Sequence, residues 1–114
     1  MLHHLSPDKF IELIADFRGG DKWNFKCIGL TVVLFRNDLH LYEKGFRDVY
    51  DTLNEYFPDI NTYEVLNHEN PEIAESYGIK EMPSTMFISA QDKYLIDNGF
   101  LSREKVIEDI NSLL

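Results

Sequence analysis

A single cysteine, Cys27, is all the thiol chemistry this chain of 114 residues carries. One thiol excludes an intramolecular disulfide, a Cys-x-x-Cys redox pair and any multi-thiolate zinc or iron–sulfur site built within one chain. Positive charge is scarce as well. Eleven Lys and Arg stand against twenty Asp and Glu, a formal net charge of -9, the wrong sign for a surface that neutralises phosphates. Nucleic acid is therefore not an expected partner. The uncharged stretches Cys27 to Phe35 and Met82 to Gln91 are nine and ten residues, far short of the roughly 20 that cross a bilayer. The amino terminus, Met1-Leu2-His3-His4-Leu5, lacks a basic segment followed by an apolar run, so no secretory leader is expected and the reading is cytoplasmic, with no membrane contact. His3, His4, His40 and His68 form no H-x-x-H or H-x-x-x-H pair with a third ligand, and no metal is expected. There is no Gly-rich phosphate loop and no Gly-x-Ser-x-Gly elbow. No catalytic set and no cofactor follow from these residues.

What remains is ordinary globular material. Hydrophobic residues make up 44% and charged residues 27%, enough for one core, and the chain reads as a single domain over 1–114. Ser6-Pro7-Asp8 places a cap, a proline and an acid where helices begin, and Phe10, Leu13, Ile14 and Phe17 follow at helical spacing up to Gly19-Gly20. Ile28 to Phe35 is apolar at both parities, which predicts a central strand covered on both faces. Phe46, Val49, Tyr50, Leu53 and Phe57 mark a second helix that Pro58 ends, its outer side carrying the solvated acids Asp48, Asp51, Glu55 and Asp59. Asn61 to Leu66 predicts a strand, and Pro71 opens a short helix before Gly78. Thr85 to Ser89 and Tyr94 to Asn98 predict a hairpin, and Ser102 caps a last helix. A short strand at Leu2 to Leu5 completes an α/β order: a central mixed sheet with helices on both faces.

This order resembles the thioredoxin family, and three local segments carry the resemblance. Val32-Val-Leu-Phe35 is similar to that family's central strand. Asn70-Pro71, Tyr77-Gly78-Ile79 and Met82-Pro83-Ser84 are similar to its segment leading into the proline loop, and Gly99 stands where the family has a glycine facing that proline. In this alignment the Cys-Gly-Pro-Cys motif falls on Leu39-His40-Leu41-Tyr42, which holds no thiol. Dithiol exchange requires an attacking thiolate and a resolving thiol, and neither Leu39 nor Tyr42 supplies one. The family's buried acid aligns with Val33, and the lysine beside it aligns with Glu64. The resemblance therefore implies a fold kept and a proton-handling apparatus replaced. It also implies a cis Met82–Pro83 bond.

The lead reading is a non-catalytic binding or chaperone-like module. It would pair an extended peptide or protein client along Met82-Pro83-Ser84, flanked by Leu39, Leu41 and Tyr42 on one side and Asn98-Gly99 on the other. In this reading Met82, the leucines and Tyr42 form one exposed apolar patch. His40 is either a pH-sensitive contact in this patch or a solvated loop residue. Two alternatives stand beside it. A thiol-dependent oxidoreductase of cell redox homeostasis would act through Cys27 at the start of the central strand, its pKa lowered by Lys26, with an external thiol as resolver. A structural domain would self-associate through Leu39, Leu41 and Met82. Free cysteine is most often a buried, inert side chain, and that is the expectation for Cys27.

Overall fold

The computed structural model describes residues 2–37, 44–91 and 93–114. Its elements are β1 (His3–His4), α1 (Pro7–Leu13), β2 (Thr31–Arg36), α2 (Lys44–Asp51), a 3-10 turn (Leu53–Glu55), β3 (Asn61–Leu66), α3 (Pro71–Ser76), β4 (Ser84–Ala90), β5 (Lys93–Asn98) and α4 (Arg103–Leu113). The five strands form one sheet in the order β1-β3-β2-β4-β5. β3 runs parallel to both β1 and β2, whereas β4 runs antiparallel to both β2 and β5. Every residue of β2 is buried. Because alternate side chains leave a strand on opposite faces, Val33 and Phe35 enter one core and Val32 and Leu34 the other. The first core joins Phe10 of α1 and Ile14 to Ile73 and Ala74 of α3. The second joins Val49 and Tyr50 of α2 to Val106 and Ile110 of α4. The expected mixed sheet covered on both faces is thus what the chain builds.

Three boundaries differ from the sequence expectation, each for a local reason. The first helix stops at Leu13, well before Gly19-Gly20. Asp16 accepts the backbone N–H of Arg18 and pairs with its guanidinium at 2.9 Å, a local turn that competes with helix. That hydrogen bond holds the Asp16 carboxyl down at about 2. Phe17 leaves the helix yet stays buried, edge-on to Phe10 at 5.9 Å. The central strand starts at Thr31 rather than Ile28, because Gly29 adopts φ +80°, a value that breaks extended pairing and leaves Ile28 90% exposed. The second helix ends at Asp51, where Thr52 Oγ1 donates to the Asp48 carbonyl at 2.6 Å and the chain tightens into the 3-10 turn. Asp51 is more than a solvated acid, since its Oδ1 accepts the Leu2 amide at 3.0 Å and ties down the amino-terminal segment.

The loop between α1 and β2 docks through aromatic rings. Trp23 stacks on Tyr94 of β5 at 4.8 Å and meets Tyr77 edge-on at 5.0 Å, and Phe25 lies parallel to Tyr77 at 6.5 Å. Tyr77 Oη donates to the Lys22 carbonyl at 2.8 Å.

Candidate functional site

The register brings together the far ends of three strands. Phe35 at the carboxyl end of β2 pairs with Ser84 at the start of β4, and Ser84 pairs with Asn98 at the end of β5. The Met82–Pro83 bond is cis, as the resemblance implies. Pro83 and Ser84 are buried. The Pro83 carbonyl accepts the Gly99 amide at 2.8 Å, and Gly99 takes φ +93°, so the proline loop and the turn after β5 are bonded directly. Ser84 Oγ lies 2.7 Å from the Glu81 carbonyl and 2.8 Å from the Asn98 side-chain amide. With the hydroxyl donating to Glu81 and the amide turned to donate to the hydroxyl, both contacts are satisfied.

Met82 differs from the expectation of an exposed patch. Its side chain is half-buried and packs against the first core, where it lines a pocket of about 300 Å³ with Asn67, Pro71, Ile79 and Lys80. Its backbone lies two residues ahead of Ser84, where the β4 ladder begins, and so stands outside strand pairing. Among the described residues, an exposed apolar side chain at this end is Phe100, 63% exposed, which sequence reasoning missed. Its ring meets Phe46 at 4.9 Å, and Phe46 in turn meets Tyr50 at 5.3 Å. An aromatic residue directly after the turn glycine was the available signal. The other half of the expected site, Leu39, His40, Leu41 and Tyr42, lies outside the described residues.

Val33, aligned with the family's acid, is fully buried in the first core. Glu64, aligned with the lysine, pairs instead with Arg36: Oε2 accepts Nε at 2.7 Å, both side chains being 11% exposed. The pair ties the end of β2 to β3.

Cys27 lies in the loop four residues before β2 and not within the strand. It is half-buried, and burial pushes its thiol up, offset in part by a hydrogen bond from Thr31. The direction is opposite to the one expected from Lys26, whose ammonium donates to the Ile11 carbonyl at 2.6 Å. Cys27 lines a pocket together with Glu12, Leu13, Lys26, Ile28, Asn61 and Tyr63. Asn61 pairs with Thr31, which sets Cys27 at the opposite end of β2 from Ser84. Across Thr31 to Phe35 that separation amounts to roughly 13 Å along the strand.

His4 and His68, far apart in sequence, converge on Glu69, at 3.5 Å and 3.9 Å from its two oxygens. Among the described residues, no group of three or more His, Cys, Asp and Glu is arranged to hold a metal ion, and no helix is long and apolar enough to cross a membrane.

No protein-family model matches the chain. It is 22% identical over 109 residues to a thioredoxin of Borreliella burgdorferi, an alignment covering 92% of this chain and 93% of that protein. Among solved structures, chloroplastic thioredoxin z superposes with a TM-score of 0.71 at 16% identity, covering 98% of this chain and 93% of that one. Fasciola hepatica thioredoxin superposes with a TM-score of 0.64 at 21% identity, covering 99% and 100%. Over nearly its whole length, then, this single-cysteine chain has the thioredoxin fold.

Proposed function

We propose that this protein is a non-catalytic thioredoxin-like module that binds an extended segment of a client protein at the Pro83 end of the sheet. The binding edge comprises Met82, Pro83, Ser84, Asn98 and Gly99, with the segment Leu39, His40, Leu41 and Tyr42 beside it and Phe100 as an added apolar contact. One observation carries the reading: the chain's lone thiol is half-buried at the end of β2 away from Pro83. A peptide seated on the Pro83 edge would find no sulfur nucleophile at Leu39 or Tyr42. The Met82 backbone lies ahead of the β4 ladder, which supports main-chain pairing with such a peptide. Phe100 supports the same reading, because a large exposed ring beside an edge is a means of side-chain selection.

Two measurements test this. In an insulin-reduction assay with a dithiol reductant, the protein should show no turnover above the reductant alone. Appreciable turnover abolished by Cys27→Ser would instead establish the thiol-dependent alternative. On an array of extended peptides, the protein should capture a subset of sequences. Phe100→Asp and the pair Leu39→Asp with Leu41→Asp should lose that capture while the melting temperature stays nearly unchanged. Loss of folding in the double variant, together with unchanged capture by Phe100→Asp, would assign this end of the domain a structural role.

A further inference from the structure

A second cluster lies where α4 meets β5. Asp109 sits on the face of α4 that carries Val106 and Ile110 into the second core, and its side chain is 5% exposed. Its Oδ1 accepts Lys105 Nζ at 2.9 Å, one turn earlier on the same helix. Its Oδ2 is buried with no hydrogen-bond donor among the described residues. A buried carboxylate oxygen without a donor is costly. Facing it from β5 is Asp97, drawn to the same Lys105 ammonium. The same ammonium stands 3.7 Å from Asp97 Oδ2 and 3.9 Å from Glu108 Oε1, so one lysine faces three carboxylates. From α2, the Tyr50 hydroxyl also faces Asp97 and Asp109, but it is bonded to Thr85 Oγ1 at 2.7 Å. Two ionised carboxylates are acceptors only and repel each other. They bond when one of them holds a proton.

We propose that Asp97 and Asp109 share one proton in the folded protein, and that this proton fastens α4 to β5. The orphaned Oδ2 then gains its partner, and Lys105 balances the single negative charge that remains. The electrostatics agree: burial and the hydrogen bond with Asp97 push the Asp109 carboxyl up, and Lys105 only partly opposes them. The sign follows from linkage. A carboxyl whose folded-state value is raised contributes stability that is full below the ordinary value of about 3.9 and is lost as pH rises through the raised value. Above it, two carboxylates, one of them buried, must share one ammonium that Glu108 also draws on.

The experiment uses the full chain as wild type, Asp109→Asn and Asp97→Asn. Infrared spectroscopy followed across a pH titration should show, in the wild type, the carbonyl stretch of one protonated carboxylic acid persisting to higher pH than the bulk of the carboxyls, and in neither variant. Melting temperature should follow: the difference between Asp109→Asn and wild type should move in favour of the variant as pH rises from 4 to 8. If Asp109→Asn does not fold, the wild-type infrared signal and Asp97→Asn still decide. Absence of such a persisting protonated acid in the wild type, or a melting difference that does not change with pH, overturns the proposal.

Discussion

Tyr50 and Thr85 make a buried hydrogen bond whose two partners can be removed separately or together. Both residues are fully buried, and their hydroxyl oxygens lie 2.7 Å apart. Tyr50→Phe keeps the ring against Phe46 but leaves Thr85 Oγ1 buried with no partner, since this is the bond its side chain makes. An orphaned buried hydroxyl costs about 1–3 kcal/mol. For a chain of this length 1 kcal/mol corresponds to roughly 4 °C in melting temperature, so a drop of roughly 4–12 °C is expected. Thr85→Val should cost a similar amount, because it orphans the phenol instead. The double variant Tyr50→Phe with Thr85→Val replaces both polar groups by apolar ones of nearly the same shape, and should recover to within about 1 kcal/mol of wild type. Urea unfolding measures all four proteins, and an unchanged m-value shows that the unfolded state is comparable. A double variant as unstable as the sum of the two singles would refute the reasoning, because the penalty would then come from lost packing and not from an unpaired donor or acceptor.

Two further outcomes follow from other groups. Cys27, half-buried with its thiol pushed up, should react slowly with a thiol reagent in the native protein and quickly in urea; equal rates in the two states would restore the monothiol reading. Burial raises the phenols of Tyr77 and Tyr50, the latter to about 12, whereas unfolded tyrosine ionises near about 10. Stability should therefore be intact below pH 10 and fall from there to pH 12. Tyr50→Phe should make that fall shallower, and identical alkaline unfolding curves for variant and wild type would show that Tyr50 does not drive it.

Much of the architecture was written in short-range signals. β3 matches the expected Asn61 to Leu66 because its ends are set by Pro58-Asp59 and Asn70-Pro71 on either side. α4 begins where Ser102 was read as a cap, and its Oγ indeed accepts the Lys105 amide at 3.2 Å. Met82, Pro83, Ser84, Asn98 and Gly99 were legible as a group because a motif marks the proline loop and strand register does the rest. Illegible features were those decided by a partner distant in sequence or by a backbone angle. Arg36 extends β2 beyond its apolar run because Glu64, 28 positions later, neutralises it in the interior. Ile28 looks like a strand residue until Gly29 turns the backbone. Asp109 reads as one more surface acid of an amphipathic helix, and only the packing of α4 on β5 buries it.

The chain holds one tryptophan, and its stacked position against Tyr94 and Tyr77 makes it a built-in optical probe. Tyr94 pairs with Ile88, which pairs with Thr31, so the indole reports from the end of the sheet opposite Pro83. Its emission should shift when the loop before β2 undocks or the domain unfolds, and should remain quiet when a peptide occupies the Pro83 edge. Fluorescence thus separates, in one cuvette and without a label, loss of the fold from engagement of a client.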